Sequence, residues 1–240
     1  MSTPTEQTVR DLAVAVPGAT RVFEKLGIDY CCGGGQSLND ACLGAGVSVE
    51  EVLATLGRAK ERDAGESTAD AGWQKRTLAE LTVHIIDKHH TYTRSELSRL
   101  DQLTDKVAGV HGRNHPELPK VRSAFQLLQK DLIPHMLKEE QVLFPYIQQL
   151  EEAVRDGRPA PTPFFGTVRN PVAMMLREHE TAGDLLRELR STSDNYTVPP
   201  DGCISYKTLY EALQELERDL HQHIHLENNI LFPRAVVLER

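Results

Sequence analysis

HMLKEEQVLFP occupies residues 135–145 and HIHLENNILFP occupies 223–233. Each stretch writes His, three residues, Glu, and then Leu-Phe-Pro at the same offset, and the copies stand 88 positions apart (223 − 135). Upstream of the first, Val121, Phe125, Leu128, Leu132, His135, Glu139 and Val142 share one stripe of a helix. Adding 88 to each position gives Leu209, Leu213, Leu216, Leu220, His223, Glu227 and Ile230, the same stripe in the same register. In both, an apolar seam is interrupted once, by a His and a Glu one turn apart. A solvent-facing i,i+4 pair, worth about 0.2–0.5 kcal/mol, would account for one isolated copy. Two copies in register on apolar seams point inward instead. An unpaired ion in a core costs several kcal/mol, so the repeat predicts a cation held between helices.

A third seam, Val172, Met175, His179, Ala182, Leu186 and Leu189, has His179 at its centre. The first long helix is less regular: its stripe runs Leu78, Leu81, Ile85, His89, Tyr92, with His84 on the flank. Periodicity alone prefers His89 as the inward ligand and leaves His84 as the alternative. His221, His223 and His225 alternate and cannot all face inward; the Leu-Phe-Pro register selects His223 and leaves the other two on the flanks.

The periodicity predicts helices over about 74–105, 118–152, 170–191 and 205–235, separated by turn-rich segments such as RDGRPAPTPFFG. No strand alternation is evident. The fold class expected is all-α: a small helical, cysteine-containing domain at 1–60, a polar linker at 61–73, and an antiparallel four-helix bundle at 74–240. Ser48 with Glu51 caps one short amino-terminal helix and Gly27 ends another, while Trp73 is expected to pack at the domain junction.

The 240 residues carry 27 Lys and Arg against 35 Asp and Glu, a net charge of −8 (27 − 35), which disfavours nucleic acid or an anionic membrane surface as partner. No stretch has the make-up of a signal peptide or a membrane span, and the expected location is the cytoplasm. The four cysteines, two of them adjacent, are not a secreted disulfide framework.

Only nitrogen and oxygen donors lie on the seams, which argues against thiolate zinc or a cluster. Two carboxylates and about four imidazoles exceed what one four-coordinate zinc needs. They suit two metal ions, each with two His and both sharing the Glu carboxylates, with space for an oxo or hydroxo bridge and an open position. Iron leads because such a site supports redox chemistry on diatomics; manganese or a dinuclear zinc hydrolase is the alternative.

The segments HIIDKHH, HMLKEEQVLFP, REHETAG and HIHLENNILFP resemble the hemerythrin-like domain of the iron-sulfur cluster repair di-iron proteins. IDYCCGGGQSL resembles the short domain that precedes it in that family. The resemblance implies His84, His135, His179 and His223 as terminal ligands of two iron ions and Glu139 and Glu227 as bridges, selecting His84 over His89. It also implies a cytoplasmic stress protein that restores clusters damaged by nitric oxide or oxidants. The di-iron centre would donate iron or reduce nitric oxide, with damaged iron-sulfur proteins as partners and nitric oxide or oxygen as small ligand. A homodimer is left open. A hemerythrin-like carrier or sensor of oxygen or nitric oxide is the competing function.

Cys31 and Cys32 precede Gly33, Gly34 and Gly35, whose backbone can approach a partner surface closely. Ser37 is expected to cap a following helix and place both thiols near its positive end, where thiolate is favoured. These thiols are the expected redox or iron-transfer groups. Pro134 frees the carbonyl of Lys130 and predicts a kink beside the site. Glu178 and Glu180 are expected to orient His179, to line an exit path for iron, or to form a solvated face. His111 and His115 are read as loop hydrogen-bonding groups, Cys42 and Cys203 as structural.

Overall fold

The computed structural model describes residues 7–62 and 72–239, so 63–71 of the expected linker lie outside the described residues. Helix dominates; an isolated bridge joins Thr8 and Ser37, and no strand occurs among the described residues. Among them, no helix is long and apolar enough to cross a membrane.

Four short helices come first: α1 (Val9–Ala15), α2 (Ala19–Leu26), α3 (Leu38–Ala45) and α4 (Val49–Arg62). Their ends follow local chemistry. Thr8 and Asp11 form a reciprocal capping box at α1, Ser37 accepts the Asp40 N–H at α3, and Ser48 accepts the Glu51 N–H at α4. Gly27 closes α2 at φ 68°, in the left-handed region where a side chain is strained.

Four long helices follow. α5 runs through Leu78–His84, Ile85–His90 and Thr91–His111; α6 through Leu118–Lys138, Glu139–Leu143 and Phe144–Arg155; α7 is Arg169–Thr192; α8 runs through Ile204–His225, Leu226–Leu231 and Phe232–Leu238. In α5, α6 and α8 the middle piece is a π turn, with hydrogen bonds to the fifth residue back. Thr91 donates to Ile86, Phe144 to Glu139 and Phe232 to Glu227. Pro145 and Pro233 have no N–H, so neither can resume the four-residue ladder immediately after the phenylalanine. The Leu-Phe-Pro repeat is thus the sequence mark of a π turn opening at or beside each glutamate. The helix passes Pro134 as α and widens five residues later, at Glu139.

Packing divides the chain into two compact units. One contains His84–Tyr146 and Arg169–Leu220. Its core joins all four long helices through Leu97, Leu100, Leu128, Leu132, Leu186, Leu213 and Leu220, among others. At one end, Tyr206 donates its hydroxyl to Glu117, and the Tyr196 and Tyr210 rings stand 6.2 Å apart. The start of α8 therefore meets the α5–α6 turn and the end of α7, so neighbouring helices in this unit run antiparallel.

The other unit contains Met1–Val83, Ile147–Val168 and His221–Arg240. Its core gathers Val9, Phe23, Leu38, Val52 and Leu56 from the short helices with Ile224 of α8. Glu151 accepts the Leu78 and Ala79 N–H groups at the start of α5, and Arg234 donates to the carbonyls of Trp73 and Arg76. Trp73 is buried with the Arg76 guanidinium over its ring.

Candidate metal centre

Glu139 lies at the middle of α6 with no exposed surface, and neither of its carboxylate oxygens has a hydrogen-bond partner. Its Oε2 stands 3.4 Å from His90 Nε2 and 3.3 Å from His135 Nε2. His179 brings its Nε2 to 3.0 Å from that of His135. His135, Glu139 and His179 each offer a ligand atom within 4.8 Å of the others.

The far sides of two of these rings are held by carboxylates. Glu178 of α7 lies 2.8 Å from His135 Nδ1 and also pairs with Lys138. The His135 hydrogen bond and Lys138 outweigh burial and hold its carboxyl down at about 2. Glu140 lies 2.7 Å from His90 Nδ1 and 2.7 Å from Arg94. Burial works to raise the Glu140 carboxyl, but the bonds from Arg94 and His90 prevail and keep it below the ordinary range.

Two carboxylate acceptors make Nδ1 the donor in both rings, which leaves the Nε2 of each facing Glu139. Imidazole nitrogens and a buried carboxylate without a hydrogen bond of its own therefore converge on one spot. That donor set fits a cation, iron or another N/O-preferring transition metal.

In the other unit, α8 presents His223 and Glu227, both buried, with Nε2 3.0 Å from Oε1. The two residues after Glu227 turn toward the amino-terminal domain. Asn228 donates to the Cys31 carbonyl at 3.0 Å and Asn229 to the Tyr30 carbonyl at 2.8 Å. Asn229 also accepts from Arg10 and lies 2.8 Å from His225 Nδ1.

The histidine of the first long helix that reaches metal-ligand spacing differs from the sequence expectation. Among the described residues, the groups with metal-ligand spacing contain His90 and neither His84 nor His89. His84 lies with its ring 5.7 Å from that of His89, and the His89 Nδ1 pairs with Asp219 at 3.0 Å. The cause is the π turn Ile85–His90, which adds a residue to the turn and moves the inward position from 89 to 90. No Leu-Phe-Pro follows this helix to announce it. The same shift buries Leu143 and leaves Val142 half-buried in α6. The third seam, on a helix without a π turn, is buried at every expected position from Val172 to Leu189.

The cysteine loop is tightly organised. Asp29 Oδ1 accepts the N–H groups of Cys31 and Cys32 at 3.2 and 2.9 Å and the Cys31 thiol at 3.4 Å. The two sulfurs are 3.9 Å apart. A Cβ on Gly34 would stand 2.9 Å from the Tyr30 carbonyl and 3.2 Å from Asn229 Oδ1, so the glycine run does permit a close approach, here to α8. Ser37 caps α3 as expected, yet Cys31 is not a favoured thiolate. The neighbouring Cys32 thiol, burial and the Asp29 carboxylate push its pKa well above the ordinary thiol value.

Glu178 orients His135 across two helices rather than its neighbour His179, while Glu180 is exposed. His221 pairs with Glu24, and His225 is buried with its ring 5.5 Å from that of Tyr30. His115 bonds Glu117 and Asp201. Cys42 is buried, but Cys203 is exposed, with His111 Nε2 3.1 Å from its sulfur. The N–H of Tyr206 and then His111 pull the Cys203 thiol down to about 7, a more reactive setting than the structural role expected of it.

The docking role of Asn228 and Asn229 was not read from the sequence. Its signal was present: where the first copy writes Glu140-Gln141, the second writes Asn228-Asn229, a break in an otherwise faithful repeat.

Residues 81–235 match the family described as the hemerythrin HHE cation binding domain, and residues 5–60 match ScdA_N, a domain of unknown function (DUF542). The iron-sulfur cluster repair protein YtfE of Escherichia coli O8 (strain IAI1) is 36% identical over 235 residues, covering 98% of this chain and 98% of the relative. The protein of the same name from Shigella boydii serotype 4 (strain Sb227) shows the same identity and coverage. With two domain matches in that order and similarity along nearly the full length, the chain belongs to the iron-sulfur cluster repair family built on a hemerythrin HHE cation-binding domain.

Proposed function

We propose that this protein restores iron-sulfur clusters damaged by nitric oxide or oxidants, working in the cytoplasm from a centre of two iron ions. The ligands in this reading are His90, His135, His179 and His223 as terminal donors and Glu139 and Glu227 as bridges. The observation that carries it is Glu139: a buried carboxylate without a hydrogen bond, faced by imidazole nitrogens whose opposite sides are held by Glu140 and Glu178. The 88-residue register supports assigning His223 and Glu227 the same task as His135 and Glu139. The names of the relatives supply the repair activity.

Bound iron would supply redox chemistry toward nitric oxide or oxygen and a store of iron for donation. The chain's own residues do the rest. Glu178 and Glu140 keep the Nδ1 protons of His135 and His90 turned away from the metal, making each Nε2 the better donor. Lys138 and Arg94 balance the charge of those carboxylates, so the centre's net charge is set by Glu139 and Glu227. Cys31 and Cys32 are the thiols assigned to electron or iron transfer. Their loop is tied to the residue next to Glu227, a connection that a simple diatomic carrier has no use for.

The test is metal analysis of the protein as purified, coupled to reactivation of an iron-sulfur enzyme pretreated with nitric oxide. Two irons per chain and reactivation are expected, with both lost in the Glu139→Leu, Glu227→Leu double variant. A metal-free protein that still repairs, or repair undiminished in the double variant, would overturn the assignment.

A further inference from the structure

We propose that Asp29, Cys31 and Cys32 form a second metal site, a two-sulfur, one-oxygen pocket for a thiophilic divalent cation of the Fe2+, Co2+ or Zn2+ class. The three side chains each offer a ligand atom within 4.8 Å of the others. Their relation is fixed by the backbone. Asp29 Oδ1 ties down the N–H groups of both cysteines, and a Cβ on Gly33 would meet the Asp29 carbonyl at 3.1 Å, so the loop folds tightly back on its carboxylate. Asn228 and Asn229 then hold the carbonyls of Cys31 and Tyr30.

The donors choose the metal. Two thiolates with one carboxylate favour borderline and soft cations and disfavour Mg2+ and Ca2+, which seek oxygen. Three protein donors leave a position open, unlike the closed four-donor sites that hold structural zinc. Cys31 is buried, Cys32 half-buried and Asp29 exposed, so the pocket opens to solvent on the carboxylate side. This is the form of a site that takes up a cation and passes it on. Two thiols beside a carboxylate resist ionising together, as the raised Cys31 value reflects, and a cation relieves that repulsion. Binding is balanced as one M2+ replacing the two thiol protons of Cys31 and Cys32, which leave to solvent.

The inference deepens the repair reading by giving iron a thiolate station bonded to the residue after Glu227, yet its test does not depend on repair. The full-length protein, with its iron as purified, is titrated anaerobically with Co2+. A thiolate-to-cobalt charge-transfer band in the near ultraviolet is expected, a band that His and Glu ligands do not produce, with release of two protons per cobalt. Cys31→Ser and Cys32→Ser should each abolish the band at one equivalent of cobalt. Asp29→Asn keeps an acceptor for the loop N–H groups and should weaken cobalt binding by about tenfold or more while preserving the band at saturation. Far-ultraviolet circular dichroism and unchanged iron content show that each variant is folded. Absence of the band in the parent protein, or its persistence in a folded Cys31→Ser variant, overturns the proposal. Either result with repair intact sinks the second site alone; a normal band with no repair sinks the repair reading alone.

Discussion

The two His-x-x-x-Glu copies share spacing, seam and π turn, yet their surroundings differ. Around the first, the partners are charges: Glu178 and Lys138 beside His135, Glu140 and Arg94 beside His90. After the second, the partners are amides: Asn228 and Asn229, holding the cysteine loop by its carbonyls. The charges around the first copy fix the orientation and donor strength of its imidazoles. The second couples a buried glutamate to another domain. Repetition of a ligand motif therefore conserves geometry, while the residues one and two positions past the glutamate decide what that geometry is connected to.

The largest expected effect tests what the copies have in common. Glu139→Leu should eliminate retained iron by metal analysis, and should stabilise the metal-free protein against denaturant by about 1–4 kcal/mol, because a buried carboxylate without a hydrogen bond is replaced by an apolar group. If iron is retained, the shared role of the two glutamates fails. Next come the phenylalanines that donate to each glutamate carbonyl. Phe144 and Phe232 are both buried, and alanine at either should cost about 3–5 kcal/mol of unfolding free energy. Equal losses would mark the two π turns as equivalent; a large inequality would separate them.

Two smaller effects sharpen the contrast. Glu178→Gln should lower metal affinity by about 10–100-fold in a chelator competition, since His135 loses its ionised partner. The exposed neighbour Glu180→Gln should leave affinity unchanged, which separates a specific hydrogen bond from general charge. The last comparison uses matched positions, because Asn229 stands 88 residues after Gln141. Asn229→Ala should cost about 1 kcal/mol and speed hydrogen exchange of the amides in 29–34. Gln141→Ala, at an exposed site, should stay within about 0.5 kcal/mol and leave that exchange alone.

The buried His and Glu positions on α6, α7 and α8 were legible because the α period holds up to, or to within one residue of, each of them, and a constant period converts sequence spacing into facing direction. Val172 through Leu189 read correctly for that reason, and so did His135, Glu139, His223 and Glu227 as buried groups. On α5 the same counting failed at His89, one residue early, because the count assumes a period that the π turn suspends. The cysteine loop divided similarly. Its glycines announced a close approach, but proximity to a capped helix suggested an easily ionised Cys31, and burial against Cys32 and Asp29 reverses that. Cys203, separated by 92 positions from His111, gave no local sign of its partner.

By itself the sequence determined that this is a helical protein carrying a twice-written His/Glu motif on apolar seams, because periodicity and burial cost are properties of short stretches of chain. Only the tertiary structure decided which histidine of the first long helix turns inward, which carboxylates hold the imidazole rings, and where the cysteine loop is fastened. Those outcomes depend on hydrogen bonds between residues distant in the chain and on helical turns of altered period, and a hydrogen bond's partner is chosen by position in space.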